Sequence, residues 1–136
     1  GGCIDSIYDI FDNSRFEDTV SLCKKYDLFP SLKEWKNKIL LLETSENKPE
    51  PKLYRKMIGA FKDYGIFDVL SGVLVGKPQD EVYYDEYKQI LLEEIGDKDL
   101  SVVYNINVGH ATPRCIIPFG VEAEVNVDKQ VITFDS

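Results

Sequence analysis

The sequence contains few of the features that metal sites, disulfide frameworks and membrane spans require. It has one histidine and three cysteines, and no two cysteines form a C-x-x-C pair, so neither a zinc site nor a disulfide framework is indicated. Reduced thiols of this kind fit a cytoplasmic protein. The longest aliphatic run, residues 39–42, is far shorter than the ~20 residues of a membrane-spanning helix, and no signal peptide opens the sequence.

The charge balance of the chain is acidic. Sixteen basic residues stand against 24 acidic residues, which gives a formal net charge of -8. A surface of this sign repels the phosphates of nucleic acids and the anionic headgroups of lipids. The charge therefore argues against nucleic-acid and membrane partners.

Neither a nucleophile elbow nor a phosphate loop is present. Because the chain lacks G-x-S-x-G, its candidate serines are interpreted as polar groups of turns or strands: Ser45, Ser71, Ser101 and Ser136. The segment "GKPQD" (76–80) lacks the spacing of a P-loop and is interpreted as a strand-to-helix turn. The "YYDEY" segment (83–87) is interpreted as half core and half surface. Cys115 begins the apolar stretch "CII" and is expected in the core.

Hydrophobic periodicity predicts strands and helices in alternation. Short apolar runs predict strands at 38–42, 67–75 and 101–107, and helical spacing predicts helices at 16–26, 53–64 and 83–95. Shorter strands are predicted at 115–117, 121–125 and 131–134, of which the last two resemble a hairpin. This order predicts an α/β fold with a mainly parallel central sheet, flanking helices and an additional antiparallel C-terminal part. All of it is expected to form a single domain over residues 1–136.

Two polar residues directly follow predicted strands. Glu43 follows the first strand, and His110, on a Val-Gly-His turn, follows the third. Ligands and reacting groups gather at the carboxyl ends of such strands, so the two side chains can converge if their strands are neighbours. A carboxylate bonded to one imidazole nitrogen would leave the other nitrogen basic. Since a lone histidine is more often a loop residue than a catalyst, His110 is interpreted either as a catalytic base or as a structural residue of its loop, and both interpretations stay open. Arg114 is interpreted as a brace of the same loop rather than an anion site.

Three segments of the sequence resemble the C-terminal domain of the LD-carboxypeptidase family of serine peptidases, in the branch that contains the microcin C immunity protein. They are "ILLLETSENKPEP", "GVLVGKPQDEVYYDEY" and "YNINVGHATPRCIIPFG". The resemblance places the family's catalytic glutamate on Glu43 and its histidine on His110, and no position matches the nucleophilic serine. The opening Gly-Gly resembles the glycine pair just beyond the family's first domain. The chain is therefore expected to be the C-terminal fragment of a two-domain peptidase whose nucleophile-bearing N-terminal domain is absent.

The resemblance implies amide hydrolysis through a Ser-Glu-His triad, without a metal or organic cofactor and with no activity in the isolated fragment. The implied substrates are peptidoglycan peptides ending in D-alanine or a peptidyl or aminoacyl nucleotide, and the insertion-like stretch "CKKYDLFPSLKEW" favours the nucleotide. The implied partners are the missing domain and, since family members commonly form dimers, a second copy. Two alternatives remain: a non-catalytic α/β binding module in which His110 braces its own turn, and a degenerate relative that has lost the chemistry.

Overall fold

Strands and helices alternate along most of the chain, and two further strands close it. The computed structural model describes residues 2–135. The strands are Gly2–Cys3 (β1), Ile39–Glu43 (β2), Gly72–Gly76 (β3), Val102–Ile106 (β4), Glu122–Asn126 (β5) and Val131–Asp135 (β6). The α-helices are Ile4–Tyr8 (α1), Thr19–Lys25 (α2), Leu32–Trp35 (α3), Pro51–Tyr64 (α4) and Tyr84–Ile95 (α5), with 3-10 turns at Asp9–Phe11, Ile66–Asp68 and Gln79–Glu81.

The first four strands form one parallel sheet in the order β1-β2-β3-β4. β5 and β6 form a separate antiparallel pair. This architecture confirms the predicted α/β fold with its parallel sheet, flanking helices and antiparallel C-terminal part. Because the strands of the sheet are parallel, their carboxyl ends meet at one edge, where Glu43 ends β2 and Gly76 ends β3.

The main core lies between the sheet and helices α4 and α5. Alternate residues of the two central strands face these helices, since side chains of a strand point to opposite sides in turn: Leu40, Leu42, Val73 and Val75. The helices contribute the largest buried side chains, including Tyr54, Phe61 and Leu91. On the opposite face, Leu41 and Leu74 border a groove walled by the C-terminal segment.

Helix α4 begins and ends at the residues that the sequence favours. Pro51 lies in its first turn, where a missing N–H removes no intrahelical bond. Gly65 follows its last residue in the left-handed conformation, with φ of 89°, as a helix stop requires. Among the described residues 2–135, the helices include none that is both long and apolar enough to cross a bilayer.

Several predicted boundaries are wrong. The strand predicted at 67–75 begins only at Gly72, because Phe67 is buried in a 3-10 turn, and a short apolar run does not distinguish a strand from a buried helical turn. The helix predicted at 16–26 begins at Thr19, with Phe16 exposed. The short strand at 115–117 is absent from the described chain.

Cys115 is likewise exposed and not in the core as predicted. Its backbone N–H donates to Asn107 O at 2.7 Å, which ties it to the loop after β4, and its thiol donates to the same carbonyl oxygen at 3.0 Å. The next residue, Ile116, is 96% exposed. The apolar composition of this segment therefore does not translate into burial within the described residues.

Candidate active site

Glu43 is a buried carboxylate at the carboxyl end of β2. Its side chain lies on the sheet face opposite the helices, in the alternation that places Leu42 in the core. Only 7% of the residue is exposed, and the next two residues, Thr44 and Ser45, are also buried. A carboxylate in such a place needs hydrogen-bond donors around it, because removing a charge from water is costly.

His110 supplies two of those donors. Its backbone N–H donates to Glu43 Oε2 at 3.2 Å, and its ring Nδ1 lies 2.7 Å from the same oxygen. The structure thus brings together the two residues that the sequence singled out. When Nδ1 carries the proton that it donates to Glu43, the lone pair of a neutral ring is on Nε2.

Glu43 and His110 come into contact across the end of an intervening strand, where a glycine leaves room for the loop. The prediction made convergence depend on neighbouring strands, but β3 lies between β2 and β4. Gly76 ends β3, and a Cβ there would lie 2.7 Å from Val108 O and 2.9 Å from Glu43 Cβ. Because Gly76 has no side chain, the loop after β4 folds across the end of β3 onto Glu43.

Gly109 is the second glycine that this arrangement requires. Its φ of 94° lies in the region that favours glycine, and a Cβ at this position would lie 2.8 Å from Glu43 Cδ. The Val-Gly-His turn therefore combines a backbone conformation and a close approach that another residue would hinder. The same turn carries His110 onto the carboxylate.

A second carboxylate contacts the other side of the imidazole. Glu46 Oε2 lies 3.0 Å from His110 Nε2. The hydrogen bond with Glu43 is the largest cause that raises the pKa of His110 above its ordinary value of 6.5; partial burial opposes the rise, and the charges of Glu43, Glu46 and Asp5 add to it. An imidazole with an acceptor on each nitrogen is stabilised in its protonated form.

Asp5 holds the loop that carries Glu46. Its two carboxylate oxygens accept hydrogen bonds from the Ser45 backbone N–H at 3.0 Å and from the Ser45 hydroxyl at 2.9 Å. The hydroxyl oxygen of Ser45 in turn accepts a bond from Asn47 N at 3.2 Å. Ser45 is thus a structural group of the turn, and Asp5 links helix α1 to the end of β2.

His110 stands between two clefts. One, of about 450 Å³, lies on the Nε2 side and is lined by Cys3, Asp5, Ser6, Asp9, Arg15, Ser45, Glu46, Asn47 and His110. The other, of about 360 Å³, is lined by Lys77, Gln79, Asp80, Glu81, Ala111, Thr112 and His110. The imidazole is therefore accessible to a group approaching from outside the domain, while its orienting carboxylate is not.

Cys3 completes a set of three ligand types at the site. A sulfur of Cys3, a carboxylate oxygen of Glu43 and a ring nitrogen of His110 lie within 4.8 Å of one another, and zinc binds ligands of these three kinds. Burial, and then the nearby charges of Asp5 and Glu43, raise the pKa of the Cys3 thiol. The raised pKa disfavours the thiolate, which is the form of a cysteine that acts as a nucleophile.

The other residues that the sequence singled out lie in loops, turns or the core. Arg114 is exposed and its guanidinium donates to Gly109 O at 3.4 Å, so it contacts the loop that it was predicted to brace. The "GKPQD" segment is the expected turn, and it leads through a 3-10 turn into α5. In the tyrosine cluster, Tyr87 is buried and stacks on Tyr54 with ring centroids 4.3 Å apart, while Tyr83 and Tyr84 are half-buried.

Glu46 and Asp5 are the site residues that sequence reasoning missed. Glu46 lies three residues after Glu43, in a polar turn at the end of a predicted strand. Its position in that turn could have marked it as a candidate site residue. Asp5 follows β1, which at two residues is too short to produce a hydrophobic pattern. Its role depends on the parallel pairing of β1 with β2, which only the fold shows.

Comparisons with known proteins identify the family of the chain. The family model of the LD-carboxypeptidase C-terminal domain matches residues 1–125. The chain is 32% identical over 69 residues to a protein of Treponema pallidum, covering 49% of this chain and 20% of that protein. It is 31% identical over 71 residues to a protein of Streptomyces coelicolor, covering 52% of this chain and 23% of that protein. Both relatives carry a provisional carboxypeptidase name.

A solved structure matches nearly the whole chain. It is the crystal structure of an MccF-like protein from Streptococcus pneumoniae in complex with AMP, with a TM-score of 0.95 and 59% identity, covering 99% of this chain and 39% of that one. The present chain thus spans between 20% and 39% of the length of these relatives. The chain belongs to the LD-carboxypeptidase C-terminal domain family, in the branch of the MccF-like, microcin C immunity-like proteins.

Proposed function

We propose that this domain supplies the orienting carboxylate and the general base of a serine carboxypeptidase whose nucleophile lies on a preceding domain. The observation that carries the proposal is the 2.7 Å contact between Glu43 Oε2 and His110 Nδ1, with Nε2 on the side of an accessible cleft. In a triad of this kind the carboxylate fixes the imidazole, and the free nitrogen faces the hydroxyl. The membership of the chain in the family supports the same assignment.

The steps of the reaction follow from this division of roles. The serine hydroxyl attacks the carbonyl carbon of an amide, and His110 Nε2 takes the hydroxyl proton. The tetrahedral intermediate collapses when the imidazolium returns that proton to the leaving amine, which leaves an acyl-enzyme. Water, deprotonated by the same nitrogen, then releases the acid. Glu43 stabilises the imidazolium throughout and does not itself take a proton.

The substrate that we favour is the amide of an aminoacyl or peptidyl nucleotide. The support is the 59% identity with an MccF-like protein whose crystal structure contains AMP. The alternative substrate is a peptidoglycan peptide that ends in D-alanine, which the family name also fits. Neither substrate requires a metal ion or an organic cofactor in the steps that this domain performs.

The organisation of the whole protein is part of the proposal. Residues 1–136 would form one domain that closes an active-site cleft together with the serine-bearing domain, and the share of 39% in the solved neighbour leaves room for such a domain. Three free cysteines fit the reducing cytoplasm. A homodimer stays a prediction of the family resemblance.

The test uses the full-length protein and both substrate types. In a full-length protein, His110→Ala should lower the rate of amide hydrolysis by about 10³-fold or more, because the proton acceptor is lost. Lys129→Ala, an exposed residue in the β5–β6 turn, serves as the control and should leave the rate unchanged. Full activity of His110→Ala would contradict the proposal and favour a binding module.

The isolated chain provides the complementary test. It should hydrolyse neither substrate, and a fluorophosphonate that labels activated serines should modify the full-length protein but not the chain. Hydrolysis by the isolated chain would show that the nucleophile lies within these 136 residues. Absence of a labelled serine from the full-length protein would support the degenerate relative.

A further inference from the structure

Glu46 occupies the reacting side of the imidazole. Its Oε2 lies 3.0 Å from His110 Nε2, the nitrogen that must accept the proton of the nucleophile in the proposed reaction. The Glu46 side chain is 62% exposed, so it can move away when the hydroxyl arrives. Its backbone cannot move far, because the preceding residue, Ser45, is buried and bonded twice to Asp5.

The Glu46 carboxylate would affect the proposed reaction both when it contacts His110 Nε2 and when its side chain has turned away. Once displaced from Nε2, it would stay near the imidazole and therefore near the carbonyl that the serine attacks in the proposed reaction, where an oxyanion develops in the transition state. A negative charge near an oxyanion raises the barrier unless a positive charge lies between or beside them. A positive charge beside Glu46 would therefore favour the reaction.

The described residues of the cleft do not provide that charge. Arg15 is the basic side chain among those that line it, and its guanidinium already bonds to Asp9 at 2.9 Å. Asp5 and Asp9 give the cleft further negative charge. A cationic group on the substrate would fill the missing role, and the group closest to a reacting aminoacyl carbonyl is the α-ammonium, one carbon away.

We propose that Glu46 is a specificity-determining residue that binds the free α-ammonium of the acyl part of the substrate. The cleft then selects amides of unblocked amino acids over amides whose amino group is acylated. This inference rests on the proposed function and narrows its substrate to the aminoacyl form. Glu46 releases His110 as it pairs with the ammonium, so binding of the right substrate also frees the base.

The test uses the amide of an aminoacyl nucleotide in two forms, one with a free α-amine and one with an N-acetylated α-amine. The full-length protein should prefer the free amine by about tenfold or more in kcat/KM, as a hydrogen bond between charged groups provides. In Glu46→Gln this preference should fall to about twofold or less, and in Glu46→Lys it should be reversed. Glu17→Gln, an exposed residue outside the cleft lining, should keep the preference of the wild type.

The outcomes separate this inference from the proposed function. Equal hydrolysis of both forms by the wild type, or an unchanged preference in Glu46→Gln, overturns the role of Glu46 while the dependence of activity on His110 still stands. Hydrolysis of neither form by the wild type overturns this inference alone, whereas hydrolysis that persists in His110→Ala overturns the proposed function and this inference with it. Because Glu46 is exposed, its variants should keep the thermal midpoint of the wild type, and this check excludes misfolding as the cause.

Discussion

The carboxylate of Glu43 accepts two hydrogen bonds from one residue, His110, through the same oxygen. The backbone N–H donates at 3.2 Å and the ring Nδ1 lies at 2.7 Å. The first contact fixes the position of the loop and the second fixes the orientation of the ring. This pairing of a buried acid with an accessible imidazole is the basis of the predictions that follow.

The ring of His110 should titrate above its ordinary range in the isolated domain. Its hydrogen bond to Glu43, and the charges of Glu43, Glu46 and Asp5, favour the protonated ring, so we expect an NMR titration midpoint above 6.5. His110 is the only histidine in the sequence, so its ring resonances are assigned without ambiguity. The neutral base is then populated only at higher pH, and kcat/KM of the full-length protein should fall as the pH drops through this midpoint.

Two variants separate the causes of that shift. Glu43→Gln should lower the midpoint more than Glu46→Gln, because the hydrogen bond to Glu43 is the largest cause of the raised pKa and the charge of Glu46 is a smaller one. A midpoint at or below 6.5 in the unsubstituted domain would contradict the pairing, as would a larger effect of Glu46→Gln.

Gly109→Ala should destabilise the domain. The backbone φ of 94° is unfavourable for alanine, and the new Cβ would meet the Glu43 carboxylate. We expect a loss of roughly 2 kcal/mol or more in the free energy of unfolding, measured in urea. The His110 titration midpoint should also move toward 6.5 as the contact with Glu43 is disturbed.

Gly59→Ala is the matched control. Gly59 lies inside helix α4, and a Cβ there has no atom within 4 Å. This change should stabilise the domain by about 0.5–1 kcal/mol, since alanine is the better helix former. Equal effects of the two substitutions would show that position 109 has no special requirement for glycine.

Asp5→Ala should loosen the loop that carries Glu46. It leaves the N–H and hydroxyl of buried Ser45 without their acceptor, which costs roughly 1–3 kcal/mol of unfolding free energy. Ser45→Ala combined with Asp5→Ala should cost less than the sum of the two single changes, because the residues share one interaction. Strict additivity in urea unfolding would refute this link.

The sequence predicted the parts of the site that local patterns encode. The apolar run at 39–42 predicts a strand, and Glu43 directly follows that run, so its place at the edge of the sheet was predictable. The Val-Gly-His turn after the 101–107 strand placed His110 at the same edge. Both inferences needed only the parallel arrangement of the strands.

The remaining parts depend on contacts between distant segments. Gly76 leaves room for the loop after β4 to contact Glu43 because β3 lies between β2 and β4. No local sequence pattern contains this strand order. Asp5 reaches Ser45 across 40 positions of sequence. The segment around Cys115 was misassigned because apolar composition predicts burial, whereas here a backbone bond to Asn107 holds it at the surface.

The most direct test of the central claim is the kcat of Glu43→Gln in the full-length protein. The substitution keeps the size of the side chain but removes its charge, and it offers the imidazole an amide in place of a carboxylate. If Glu43 orients and stabilises the His110 imidazolium, kcat should fall by about 10³- to 10⁴-fold with little change in KM. A kcat within about tenfold of the wild type would contradict the claim that this pair is the base of the reaction.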